Sequence, residues 1–264
     1  MLLAIDIGNT NIVIGGIQDD EIMFEGRIAT DHIKTSDQYG VEIKNILSLF
    51  EVKPREISDC IISSVVPPVF NSVRTGLVKL TGREPMVVGP GIKTGLNIQM
   101  DSPSQVGSDR IVIAVAALGE SEPPLILLDL GTPTTIEVVG RGNTYLGGCI
   151  IPGVRVSLEA LTSRTAQLPG IRLDKPKRVI GKNTVDCMRS GIMYGTAAML
   201  DGMLDRVEEE LGYSTTVVAT GGMAQFIVPL CRREIKLEKD LLLKGLGILY
   251  EKNASEAGRR TPVL

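Results

Sequence analysis

The chain has 264 residues, 43% of them hydrophobic and 22% charged, with a formal net charge of −3. That size and composition suit one large or two small packed domains and exclude disorder. A slightly acidic balance lacks the basic surface that phosphate backbones require, and no apolar run reaches the ~18–20 residues of a membrane span, so neither nucleic acid nor a membrane is an expected partner.

In chain order, residues 3–15 (LAIDIGNTNIVIG) read as apolar strand, acid, glycine turn and second apolar strand, the pattern of a β-hairpin. Val41, Ile43, Ile46, Leu47 and Phe50 predict a helical apolar stripe, and the run from Cys60 to Val66 predicts a buried strand stopped by Pro67-Pro68. Residues 71–80 read as a helix and 85–88 as a short strand. A polar loop over 97–105 leads into a helix with Ile111, Ala114, Val115 and Leu118 on one face, and residues 119–124 read as a domain boundary. Residues 126–138 (ILLDLGTPTTIEV) repeat the first hairpin, laying Asp129 on Asp6 and Gly131 on Gly8. The glycine-rich stretch 147–153 precedes a helix over 154–161 and a long helix over 184–211, whose Gly191 and Gly195 at i, i+4 let another backbone pack close. A strand over 216–219 ends at Thr220-Gly221-Gly222, and from Glu251 the sequence loses periodicity. The pattern predicts an α/β protein of two lobes, 1–118 and 119–250, with a cleft between them and a mobile tail over 251–264.

Residue inventory narrows the chemistry. Cys60, Cys149, Cys187 and Cys231 form no CxxC pair and read as reduced thiols of a cytoplasmic protein, and the opening residues, with Asp6 and no basic stretch, do not read as a signal peptide. His32 is the only histidine, which excludes a polyhistidine metal centre and leaves a carboxylate as the expected general base. Around Gly8, the side chains of Asn9, Thr10 and Asn11 can cradle phosphoryl oxygens, and Asp6 at a strand end can hold Mg²⁺ directly or through water. A plain hairpin turn would use the same residues for backbone geometry alone. The second copy at Asp129 favours the functional reading, because two facing turns can grip one polyphosphate. Paired Gly221 and Gly222 leave room for adenine or ribose against the backbone. Asp109, in the first turn of its helix, is either a dipole-complementing acid or a base that takes a proton from a substrate hydroxyl.

In order, the motifs at Asp6–Thr10, Asp129–Thr132 and Thr220–Gly222 resemble the phosphate-1, phosphate-2 and adenosine motifs of the acetate-kinase, sugar-kinase, heat-shock chaperone and actin superfamily. That resemblance implies two duplicated actin-like (ribonuclease H-like) lobes with a nucleotide cleft. With SSVVPP at 63–68, GPGIKTG at 89–95, VGSDR at 106–110 and GGCIIPG at 147–153, the series is similar to type III pantothenate kinases. The narrower resemblance implies ATP-dependent phosphorylation of pantothenate to 4′-phosphopantothenate, the first step of coenzyme A synthesis. It implies a cytoplasmic homodimer that needs Mg²⁺ and a monovalent cation, K⁺ or NH₄⁺. It makes Asp109 the proton acceptor and assigns Gly107, Ser108, Asp109, Arg110 and Thr184 to pantothenate. Asp6, Ile7, Gly8, Asn9, Thr10, Asn11, Ile12, Val13, Thr132, Gly221 and Gly222 are assigned to ATP, and Asp129 to the monovalent cation. Three positions depart from the family pattern: Met100 stands where a substrate-touching tyrosine is common, and Ser108 and Pro133 stand where alanine is usual. Met100 keeps open a kinase for another small hydroxyl substrate, and a nucleotide-binding regulator of the same fold is the other alternative.

Overall fold

The computed structural model describes residues 1–257. Strands β1 (Leu2–Ile7), β2 (Asn11–Gln18) and β3 (Glu21–Ala29) are followed by α1 (Ser36–Leu49), β4 (Asp59–Ser64), α2 (Pro67–Thr81) and β5 (Met86–Val87). Next come β6 (Asn97–Ile98), α3 (Ser108–Glu120), β7 (Leu125–Leu130), β8 (Pro133–Gly140) and β9 (Thr144–Pro152). The order continues with α4 (Val154–Ser163), α5 (Thr184–Leu211), β10 (Thr216–Thr220), α6 (Ala224–Ile227), β11 (Lys236–Leu237) and α7 (Leu241–Ala257). Two compact units divide the chain. One holds residues 1–96, 101–119 and the chain from Asp240; the other holds 97–100 and 120–239.

The first unit is built on a five-stranded sheet of order β3-β2-β1-β4-β5, in which β1 pairs antiparallel with β2 and parallel with β4. Every residue of β1 is buried, which is why it reads as an apolar run broken only by Asp6. Leu3, Ile5, Ile7, Ile12 and Ile14 pack against Tyr39, Ile43 and Leu47 of α1 and Val73 and Leu77 of α2. The α1 stripe is shifted from the expected one: Tyr39 joins the core, whereas Val41 is 57% exposed and Phe50 stacks on Phe24 with ring centroids 4.8 Å apart. Thr35 opens α1 with a capping box, its hydroxyl accepting from the Gln38 backbone while the Gln38 side chain accepts from the Thr35 N–H. Pro67 and Pro68 do more than stop β4. They form the first turn of α2, where a missing N–H costs nothing, so the helix starts four residues before the expected position.

The other face of this sheet carries α7, a helix that the sequence reading did not anticipate. Leu243 fills the space over Gly15, where an added Cβ would stand 2.5 Å from a Leu243 methyl, and at Gly245 the backbone of α7 lies against the carbonyl of Val112 in α3. Helix α3 is buried on all sides from Ile111 to Ala117, not along one face as predicted. Of the residues expected in the tail, Glu251–Ala257 continue α7, and the Asn253 amide exchanges hydrogen bonds with the Lys93 backbone at 2.9 and 3.1 Å. Residues 258–264 lie outside the described residues.

In the second unit the sheet order is β11-β10-β7-β8-β9-β6, so β9-β8-β7-β10-β11 reproduces the order of the first sheet. The internal repeat is therefore a repeat of topology. Ile126, Leu128, Leu130, Ile136 and Val138 face Val154 of α4, Met193, Ala197, Leu200 and Leu204 of α5, and Ile227 of α6. Inside the sheet, the buried Glu137 carboxylate accepts a hydrogen bond from the Tyr145 hydroxyl. Asn183 caps α5 by accepting from the Asp186 N–H at 2.9 Å, and Gly212 ends it in the left-handed conformation at φ 73°. A Cβ on Gly191 or Gly195 would stand in open space, so neither glycine serves close packing within the unit. The expected loop over 97–105 contains β6, which pairs parallel with β9.

Candidate active site

Each unit ends its central strand with an acid at the penultimate position. Asp6 pairs with Val13 across the hairpin and with Ser63 on the parallel strand β4, while Asp129 pairs with Thr135 and with Thr220 on β10. Parallel neighbours lie about 4.8 Å apart, so each acid has a buried hydroxyl residue beside it in the sheet, Ser63 fully buried and Thr220 nearly so. The Asp6–Ser63 relationship was not visible in the sequence alone. Its only signal was a Ser-Ser pair closing the apolar run of β4.

The first turn spans four residues inside the closing pair Ile7–Ile12, whereas the second spans three inside Leu130–Thr134. The hairpin alignment therefore slips by one residue after the turn. In the first turn the Gly8 N–H donates to the Asn11 carbonyl at 3.1 Å, the Thr30 hydroxyl donates to the Gly8 carbonyl at 2.6 Å, and the Thr30 N–H donates to the Thr10 carbonyl at 3.0 Å. Thr30, also missed from sequence, thus braces the turn from the end of β3. Asn9, Thr10 and Asn11 remain exposed, while Ile7 and Ile12 are fully buried in the core. Those two isoleucines can offer a ligand only their main chain.

Near the same sheet end, Ser108 and Asp109 open α3. The Asp109 carboxylate accepts from the Arg110 N–H at 2.8 Å, and it occupies the space beside Gly107, where an added Cβ would stand 2.5 Å from Asp109 Oδ1. The Ser108 hydroxyl accepts from the Ser63 hydroxyl at 2.9 Å and the Ser64 N–H at 3.1 Å, and donates to the Ser64 carbonyl at 3.0 Å. Asp6, the Gly8–Asn11 turn and Gly107–Arg110 all belong to the first unit.

In the second unit, two further glycine motifs, those of Gly153 and Gly221, converge on the Gly131–Thr132 turn. The Gly153 N–H donates to the Thr132 carbonyl at 3.1 Å, and the Met223 N–H donates to the Leu130 carbonyl at 3.1 Å. A side chain at Gly153 would overlap the Gly131 and Thr132 carbonyls, and Gly221, at φ 93°, lies against Asp129 and the Leu130 backbone. Gly153 also precedes the first residue of α4, placing the positive end of that helix at the turn, an arrangement suited to an anion. Thr132 and Gly222 are exposed. Beside Met223, a cavity of about 470 Å³ is lined by Arg155, Glu159, Arg172, Met223 and Phe226 among others. Met100 is placed elsewhere in this unit, its sulfur over Gly147 of β9, and Thr184 is an exposed residue at the start of α5.

Among the described residues, no three His, Cys, Asp or Glu side chains gather into a metal cage. Single strand-end carboxylates fit Mg²⁺, which takes one or two protein oxygens and completes its shell with waters and substrate phosphates. Also among the described residues, no helix is long and apolar enough to cross a membrane.

Two sheets of one repeated topology, each with an acid and a glycine turn at its central strand, define the actin-like ATPase and sugar-kinase fold. Two solved structures share it: a Campylobacter jejuni protein described as a Baf family transcriptional activator (TM-score 0.60, 17% identity, covering 96% of this chain and 99% of that one), and the activator of 2-hydroxyisocaproyl-CoA dehydratase from Clostridium difficile with bound ADPNP (TM-score 0.57, 11% identity, 100% and 98%). The family model for type III pantothenate kinase matches residues 2–206. A type III pantothenate kinase from Exiguobacterium sibiricum is 44% identical over 96% of this chain and 100% of its own length. The chain belongs to the type III pantothenate kinase family.

Proposed function

We propose that this chain performs the reaction of its family, transferring the γ-phosphoryl group of ATP to pantothenate in coenzyme A biosynthesis, with Asp109 as the general base. The observation that carries this reading is the recurrence, in both units, of a central-strand acid followed by a glycine turn with an exposed threonine, Thr10 in the first and Thr132 in the second.

ATP phosphates take the turn of residues 6–13, with Ile7 and Ile12 acting through their main chain, and the Thr132 turn at the head of α4. The nucleoside lies along Gly221 and Gly222, toward the cavity beside Met223. Asp6 would hold Mg²⁺, directly or through water, and Asp129 would help hold K⁺ or NH₄⁺; bound there, the cations neutralise charge on the phosphates. Asp109 accepts the proton of pantothenate's primary hydroxyl as that oxygen bonds to the γ-phosphorus and ADP departs with the bridging oxygen. Positioning and charge stabilisation supply most of the acceleration in such transfers. Gly107, Arg110, Met100 and Thr184 contact pantothenate, Arg110 by pairing with its carboxylate. Ser108 contributes its main chain, its hydroxyl being engaged with Ser63 and Ser64. The working form is a cytoplasmic homodimer.

Mass spectrometry of a reaction with ATP, Mg²⁺, K⁺ and pantothenate tests this reading. The expected product is 4′-phosphopantothenate, with ADP released only when pantothenate is present. Nucleotide binding without acceptor-dependent ADP release would identify a regulator instead, and turnover with a different small hydroxyl acceptor alone would reassign the substrate.

A further inference from the structure

A serine hydroxyl has one proton to donate and two lone pairs to accept with. Ser108 uses all three: it donates to the Ser64 carbonyl and accepts from the Ser64 N–H and the Ser63 hydroxyl. Nothing of that hydroxyl remains for a substrate. The alanine usual in the family at this position could make none of these bonds.

We propose that Ser108 is a positioning residue for Asp109, clamping the first turn of α3 onto the end of β4 and so fixing where the Asp109 carboxylate stands. The inference rests on the reading of Asp109 as the base. Ser108 is the first residue of α3 and Asp109 the second, so anchoring one backbone position leaves the next carboxylate little freedom. Two further contacts restrict it: the Arg110 N–H holds Oδ1 at 2.8 Å, and Gly107 provides the gap into which the carboxylate fits. Ser63, the buried end of the clamp, is the sheet partner of Asp6. One hydroxyl pair therefore ties the start of α3, where the base stands, to β4, the strand beside the one that carries the phosphate turn. Small displacements of a reacting group lower rate strongly without weakening binding, because the lost interaction belongs to the transition state.

The test is steady-state kinetics of Ser108→Ala, Ser108→Thr, Ser63→Ala and Asp109→Asn in the full chain, with thermal melts as a fold control. Ser108→Ala is expected to lower kcat about tenfold while the KM values for ATP and pantothenate stay within about twofold. Ser108→Thr, which keeps the hydroxyl, should recover at least half of the lost kcat, and Ser63→Ala should give a smaller loss of the same kind. A rise in pantothenate KM beyond twofold in Ser108→Ala would make the hydroxyl a substrate contact and overturn the proposal; unchanged kcat would overturn it as well. If Ser108→Ala does not fold, Ser63→Ala decides by the same split of kcat from KM. The Asp109→Asn arm separates the two readings. Full turnover there removes Asp109 as base, whereas an inactive Asp109→Asn beside a fully active Ser108→Ala removes only the clamp.

Discussion

The Gly221 backbone passes so close to Asp129 that a side chain at 221 would overlap the Asp129 carboxylate and the Leu130 main chain. Its φ of 93° is also one that side-chain-bearing residues avoid. Gly222 next to it has open space and no such backbone constraint. Gly221→Ala is expected to destabilise the protein by more than ~1 kcal/mol and to weaken ATP binding at least about tenfold. Gly222→Ala should change stability by no more than ~0.5 kcal/mol. Thermal melts and calorimetric titration with Mg-ATP would check both.

The two hairpins were legible because a buried central strand must be apolar, which makes a single acid followed by glycine conspicuous. That the two halves are duplicated lobes followed from the repeat and the family resemblance; the strand-by-strand match of the sheets was not legible, since β10 and β11 are separated from β7 by very different stretches of chain than β4 and β5 are from β1. Helix α7 escaped notice because Gly245 and Gly247 interrupt its pattern; Gly245 is there to let the helix touch the Val112 carbonyl. Helix α3 showed one apolar face in the sequence, yet small residues such as Ala114, Ala116 and Ala117 allow it to be buried all round. The partners of Ser108, next to Asp109, depended on tertiary contact between residues 63–64 and 108, which no local pattern encodes.

Thiol chemistry offers an independent check of the packing. Burial pushes the Cys60 thiol up to about 11, partly offset by the Thr81 hydroxyl, and burial pushes Cys231 up to about 12. Thiolate is the reactive form. At pH 8 Cys187, which is exposed, should react with a maleimide at least about 100-fold faster than Cys60 or Cys231, which become reactive on unfolding. Peptide mapping of labelled sites against time would show the order.

Acid stability should carry the signature of Glu208. Burial alone would raise its carboxyl, but hydrogen bonds from the Thr215 backbone and hydroxyl and from Arg233 outweigh that and hold it below the ordinary value of 4.5. A depressed folded-state value means stabilisation that is present above pH 4.5 and is lost as pH falls through the folded value. Glu208→Gln should cost about 1 kcal/mol at pH 7, with the difference from the parent chain shrinking below pH 4.5. Denaturant titrations at several pH values would measure it.

The base is best tested by rapid-quench single turnover of the parent chain and Asp109→Asn, each saturated with Mg-ATP and pantothenate, alongside calorimetric titration of both with Mg-ATP. With Asp109 taking the hydroxyl proton, the variant should form 4′-phosphopantothenate about 10²–10⁴-fold more slowly while binding nucleotide within about twofold of the parent. Product formation at the parent rate would contradict that role.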